Sequence, residues 1–167
     1  MQIDNLSELP EWNDDEFGDE DDEGEAWKPN PTRDACKTMY LQWNTVTTVL
    51  KAAFDSLKEP DKEDNMFSKE MQEDHIAMVT GDAYEVAVKI RSSETGLYII
   101  RMENAAIIRK NAQYIYISTN NFMLDGLMEP QHRQVIRDEI DKFRDFFKTW
   151  VASFKKDDYE DEWGLFV

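Results

Sequence analysis

Residues 130–154 read PQHRQVIRDEIDKFRDFFKTWVASF, and within them Ile136, Ile140, Phe143, Phe147, Trp150 and Phe154 recur at steps of four and three. That spacing brings one apolar side chain per turn to a single face of an α-helix. The opposite face is charged, with Arg137–Asp141 and Asp138–Lys142 set for i,i+4 pairing in water. Pro130 suits the first helical position with Glu129 as cap, and Lys155-Lys156 complements the dipole at the far end. A helix this one-sided needs partners for its stripe, and the rest of the chain supplies them.

Upstream, residues 97–124 form a helix around Arg101-Met102-Glu103-Asn104-Ala105-Ala106. Leu97, Ile100, Ile107, Ile108, Tyr114, Ile115 and Phe122 fall in one sector of it, and further apolar residues on its other faces predict the most enclosed helix. Before it, Ser93-Glu94-Thr95-Gly96 is a turn with Gly96 as a left-handed cap. A helix beginning between Asp61 and Ser68 and ending near Ser93 carries Ile76, Val79, Ala83, Val86 and Ile90. Residues 84–91 also alternate with period two, and Tyr114-Ile115-Tyr116-Ile117 is β-prone, so both stretches compete with strand. The Glu-, Met- and Gln-rich sequence ahead of Ile76 decides the first in favour of helix. The first helix, about 31–58, has Asn30 as cap, Pro31 at its start and the stripe Cys36, Tyr40, Trp43, Thr47, Leu50, Phe54 and Leu57, widened by Met39, Val46, Val49 and Ala53. Pro60 ends it by driving the preceding residue out of the α region.

Four helices with short connections predict antiparallel neighbours, an all-α, up-down-up-down four-helix bundle. Residues 32–156 form that domain, between an acidic, flexible tail at 1–31 and an acidic-aromatic tail at 157–167. Of a net charge of −17, residues 1–31 carry −11, 157–167 carry −5 and the bundle only −1. A field of this sign repels phosphate backbones, so the reading is against nucleic-acid binding by the whole chain and in favour of basic partners. The single cysteine, Cys36, excludes an internal disulfide and sits on an apolar stripe, as a buried thiol rather than a nucleophile. With no secretory leader and no apolar run of about 20 residues, the expectation is a cytoplasmic protein without a membrane segment.

Asn104, Asn111 and Ser118 stand seven apart inside the apolar sector of the third helix. A buried polar group left unsatisfied costs roughly 1–3 kcal/mol, so each needs a partner. They either fix helix register through interhelical hydrogen bonds, as single polar residues do in coiled coils, or line an internal ligand cavity. Glu129-x-x-His132 has a di-metal spacing, yet His75 is preceded by Gln72 instead of Glu and the further glutamates are missing. Neither histidine lies in a phosphoacceptor context. No catalytic residue, metal set or cofactor is expected, and the reading leans away from an enzyme.

The tails interleave acids with aromatics, including Glu11-Trp12, Glu16-Phe17, Ala26-Trp27 and Glu162-Trp163-Gly164-Leu165-Phe166. Solubility alone does not call for Phe17, Trp27, Trp163 or Phe166. Either these aromatics anchor a basic or apolar partner protein while the acids steer it, or Trp12, Trp27 or Trp163 folds back on the bundle. The leading expectation is a non-enzymatic interaction module working through these tails. The alternative is a small-molecule-binding or enzymatic bundle built on the Asn104, Asn111 and Ser118 strip. A third reading is a homo-oligomer, with the broad apolar faces of the first and third helices buried against another subunit. Lys89, Arg91, Arg101, Arg109 and Lys110 form a basic cluster that reads as ordinary solvated charge, as charge neutralised by an acidic tail, or as an anionic-ligand or RNA patch gated by that tail.

Overall fold

The computed structural model describes residues 9–14, 28–59 and 69–166, and expectations resting on the others lie outside it. Four helices follow in order, α1 Pro31–Asp55, α2 Lys69–Arg91, α3 Tyr98–Leu124 and α4 Pro130–Ala152, with no strand among the described residues. Residues 84–91 and 114–117 are helical. Their β-prone composition is overridden by packing, which places Val86, Ile90 and Ile115 in the core.

Contacts across the helices establish the antiparallel order. The Cys36 thiol donates to the Ile90 carbonyl at 3.3 Å and Trp43 Nε1 to the Ala83 carbonyl at 2.8 Å, so α2 descends as α1 rises. Arg137 lies 3.8 Å over the Tyr116 ring, Arg133 reaches Met123 Sδ, and Tyr98 meets Phe154, which runs α4 against α3. Thr32 and Ser153 bond through their hydroxyls at 3.0 Å, returning the end of α4 to the start of α1. Helices of 23 to 27 residues give a bundle roughly 40 Å long.

Packing is unequal around the ring. The α1–α4 and α2–α3 contacts are broad, whereas α1–α2 and α3–α4 are narrow and no diagonal pair packs extensively. The bundle is thus two helix pairs laid side by side, with a seam along each of its two junctions. Trp43 and Phe143, with ring centroids 4.6 Å apart, tie the α1–α4 pair at its middle.

Burial refines the stripes. On α1, the widening residues Met39, Val46 and Ala53 are buried as expected, while Thr47 and Phe54 of the stripe itself are only partly covered. On α3, Leu97 and Ile100 are each 42% exposed, and the buried line runs through Ile99, Ile108, Ile115 and Phe122. The face turned to α2 sets this line, since α4 covers α3 only narrowly.

Both ends are closed by loops with their own polar bonds. At one, Leu127 and Met128 are buried and Leu127 accepts from the Lys58 amide at 3.0 Å. At the other, Glu94 is buried with Arg33 Nε at 2.7 Å, and Arg101 donates to the carbonyls of Ser93 and Glu94. Gly96 has φ +132°, in the left-handed region its turn requires. Glu129 occupies the N-cap of α4, but its carboxylate makes no cap bond. It pairs instead with Lys58 at 2.6 Å, whose hydrogen bond and charge hold it below the usual carboxylate range. The i,i+4 pairs expected on α4 are also replaced: Asp141 binds Arg144, Lys142 binds Glu139, and Asp138 accepts from Gln134. Arg137 is drawn across to Tyr116, which removes the first of the expected pairings.

Candidate functional site

The polar strip of α3 faces α2. Asn111 Nδ2 donates to Glu85 Oε2 at 2.7 Å, and Asn104 Nδ2 to Ser92 Oγ at 3.4 Å. Seven residues forward on α3 match seven back on α2, as antiparallel neighbours in one register require. The Ser118 hydroxyl is buried without a hydrogen-bond partner among the described residues. Close by, burial and the charge of Glu85 raise the pKa of Asp82, and Lys110 opposes them.

The other titratable candidates are occupied structurally. Cys36 is fully buried, and desolvation, with the Glu94 charge, pushes its thiol up to about 12, which removes it as a nucleophile. His75 stacks on Phe122 with centroids 4.5 Å apart, and Glu129 is paired with Lys58. Among the described residues no group of histidine, cysteine and carboxylates could hold a metal ion. The basic cluster is dispersed over different surfaces: Arg91 borders the α1/α2 seam, Arg101 closes a bundle end, and Arg109 borders the α3/α4 seam. No helix among the described residues is long and apolar enough to cross a membrane.

The two seams open into hollows on the bundle surface, and they differ in what fills them among the described residues. Leu9–Asp14 runs along the α1/α2 seam. Leu9 shares a hollow of about 270 Å³ with Thr47, Leu50, Phe54, Ile76 and Ala83. Pro10 borders a second hollow, about 320 Å³, with Tyr40, Tyr84 and Ala87, and its carbonyl accepts from the Tyr40 hydroxyl. Trp12 packs on Tyr40 at 5.5 Å and donates from Nε1 to Asp14 at 2.8 Å. Asp14 then pairs with Lys37 at 2.7 Å, and these bonds hold its carboxyl below the usual range. This short strap displays how the bundle accepts an acidic-aromatic segment: aliphatic and indole groups in the seam, a carboxylate on a rim cation.

The α3/α4 seam is a groove of about 630 Å³. Ala112, Ile140, Phe143 and Phe147 line its apolar part, and Ile117 on its edge is 58% exposed. Arg109, Arg144 and Lys148 border it, with no acidic residue in the lining. Arg144 and Lys148 touch Asp141 and Asp145 one turn earlier, whereas Arg109 has no ion-pair partner among the described residues. None of Asn104, Asn111 and Ser118 borders this groove or the two α1/α2 hollows.

The C-terminal segment is held at its root and exposed at its tip. Asp157 Oδ2 accepts from the Tyr98 amide at 2.8 Å, capping α3 from 59 positions away, a role that no local signal marks. The Asp161 carbonyl accepts from the Gly164 amide and its carboxylate from the Leu165 amide, at 3.0 and 2.8 Å, a turn that Gly164 permits with φ +73°. Trp163 sits on this turn at 89% exposure, with Tyr159, Leu165 and Phe166 also exposed. Trp163 and Phe166 are thus brought onto one turn, whereas Phe17 and Trp27 lie outside the described residues.

Comparison with protein-family models, with curated proteins and with solved structures yields no match.

Proposed function

We propose that the protein is a non-enzymatic interaction module whose acidic-aromatic C-terminal segment, Tyr159–Phe166, docks on a basic or apolar surface of another polypeptide. One observation carries this reading: Trp163 stands in solvent on a turn that Asp161 fixes by accepting two backbone amides, one on its carbonyl and one on its carboxylate. An indole buries roughly 150–250 Å² when covered, at about 25 cal/mol per Å², so covering Trp163 releases several kcal/mol before association costs. The turn lowers those costs by restricting the segment before binding. Asp157, Asp158, Glu160, Asp161 and Glu162 surround the aromatic and would steer it toward positive surfaces.

The bonded state of Asn104 and Asn111 supports a register-setting role for the polar strip and leaves the ligand-cavity alternative without a supporting observation. A cytoplasmic setting fits a chain whose single cysteine is buried and free.

The test is affinity capture from lysate with the full chain against the full-chain variant Trp163→Ala/Phe166→Ala. Both residues are solvent-exposed, so the variant folds as the parent does, which circular dichroism verifies. A polypeptide retained by the parent and lost from the variant is the expected result. Identical capture by both chains removes the C-terminal segment from the binding function.

A further inference from the structure

The bundle has two seams of one kind, and among the described residues only one of them holds a strap. In the α1/α2 seam the chain's own Leu9-Pro10-Glu11-Trp12-Asn13-Asp14 places Leu9 and Pro10 in the hollows, Trp12 on Tyr40 and Asp14 on Lys37. The α3/α4 seam has the same construction, an apolar trough between two narrowly packed helices with cations on its border, and it is open among the described residues. The chain also carries a second Glu-Trp element next to a leucine, Glu162-Trp163 with Leu165, presented on a formed turn and left in water.

We propose that the α3/α4 seam is the receptor for the Asp161–Phe166 segment of a second copy of this chain, so that the molecule self-associates by exchanging C-terminal segments. The inference rests on the reading of that segment as a docking element, and it names the occupant. Trp163 enters the trough lined by Ala112, Ile140, Phe143 and Phe147 and meets Ile117 at its edge. Its volume, about 630 Å³, lies within the range of pockets that enclose a compact ligand. Glu160 and Glu162 then face Arg109, whose charge has no partner among the described residues. Within its own molecule Trp163 lies outside the groove, at 89% exposure, which leaves the groove of a second copy to cover it. The segment is rooted on Tyr98 of α3 and the groove lies between α3 and α4, so two copies can exchange reciprocally and close as a two-fold dimer. The net charge of −17 opposes the approach of two copies, but this repulsion is screened beyond about 8 Å at physiological ionic strength.

Sedimentation of the full chain at physiological salt, from micromolar to millimolar concentration, tests the proposal. The expected result is a reversible monomer–dimer equilibrium. Trp163→Ala and Ile117→Asp, both at exposed positions, each weaken it by about tenfold or more. Mixing these two full-length variants restores association, because one keeps an intact groove and the other an intact segment. Arg109→Glu also weakens the dimer, and adding Glu162→Lys to that chain recovers it. A monomer at every concentration overturns the proposal, as does a dimer indifferent to Trp163→Ala, or a mixture that behaves as the sum of its components. Lysate capture that depends on Trp163 and Phe166 but is unaffected by Ile117→Asp, with no self-association, would leave the docking function standing and remove only this assignment.

Discussion

Two tryptophans of this core are equally dry and oppositely satisfied, which permits a controlled perturbation. Trp43 and Trp150 are both fully buried. Trp43 Nε1 donates to the Ala83 carbonyl at 2.8 Å, whereas Trp150 Nε1 has no hydrogen-bond partner among the described residues. Replacing either by phenylalanine removes about 40 Å² of buried ring, worth about 1 kcal/mol at ~25 cal/mol per Å². The void of about 40 Å³ left behind adds about 1 kcal/mol more. Trp43→Phe also loses a hydrogen bond, about 1 kcal/mol, and the Ala83 carbonyl keeps its place in the α2 ladder. Trp150→Phe instead removes an unsatisfied buried donor, which returns about 1–3 kcal/mol. The edge-on neighbour Phe154, centroids 4.6 Å apart, is at best a weak π acceptor and does not replace a carbonyl. Trp43→Phe is therefore expected to destabilise by about 3 kcal/mol and Trp150→Phe by about 1 kcal/mol or less. Urea unfolding followed by far-UV circular dichroism reads the difference without relying on tryptophan emission. At an m-value of about 2 kcal/mol/M, the midpoints separate by about 1 M. If Trp150→Phe costs as much as Trp43→Phe, the Trp150 indole is satisfied in solution, and hydrogen bonding is not what distinguishes the two sites.

Gly81 lies on an exposed face of α2, and a methyl group there meets nothing within 4 Å, so Gly81→Ala should stabilise by about 1 kcal/mol and raise Tm by a few degrees. A lower Tm would mean that α2 is not regular at this turn. The Cys36 thiol has its pKa raised in the fold, so its contribution is intact below pH 9.0 and is lost as pH rises toward about 12. Stability measured across that window should fall more steeply for the parent than for Cys36→Ser, and native Cys36 should resist disulfide reagents at pH 8 until urea is added; parallel slopes would place the thiol in water. Trp12→Ala removes the indole from Tyr40 and should cost about 1–2 kcal/mol while opening residues 9–14 to proteolysis. Unchanged stability and cleavage would show the strap to be unbound in solution.

The helices were legible because a 4-3 recurrence of apolar residues states which side of each helix avoids water, and Pro31, Gly96 and Pro130 mark where three of its boundaries fall. The stripes carrying Tyr40, Trp43, Val86, Ile140 and Trp150 therefore appear in the core, and short connections dictate antiparallel neighbours. The same recurrence misplaced Leu97 and Ile100, since it assigns α3 a single apolar sector while two unequal neighbours decide which part is covered. It also assigned Glu129 a cap bond, though Lys58, brought alongside by the fold, is the stronger partner for a carboxylate.

Candidate residues were legible to a lesser degree. The spacing of Asn104, Asn111 and Ser118 announced buried polar groups, but that Ser92 and Glu85 answer the first two and nothing among the described residues answers the third depends on the α2–α3 register. Trp12 and Trp163 are indistinguishable by composition, each following a glutamate in an acidic stretch. One lies against Tyr40 and the other stands in solvent, because contact depends on which seam lies within reach of each anchored chain end. The sequence by itself determined four amphipathic helices and the confinement of excess charge to the tails, since both follow from local pattern. Only the tertiary structure decided that the bundle is two broad pairs with two narrow seams, one strapped and one open among the described residues, because the distance between two helices depends on side chains from both at once.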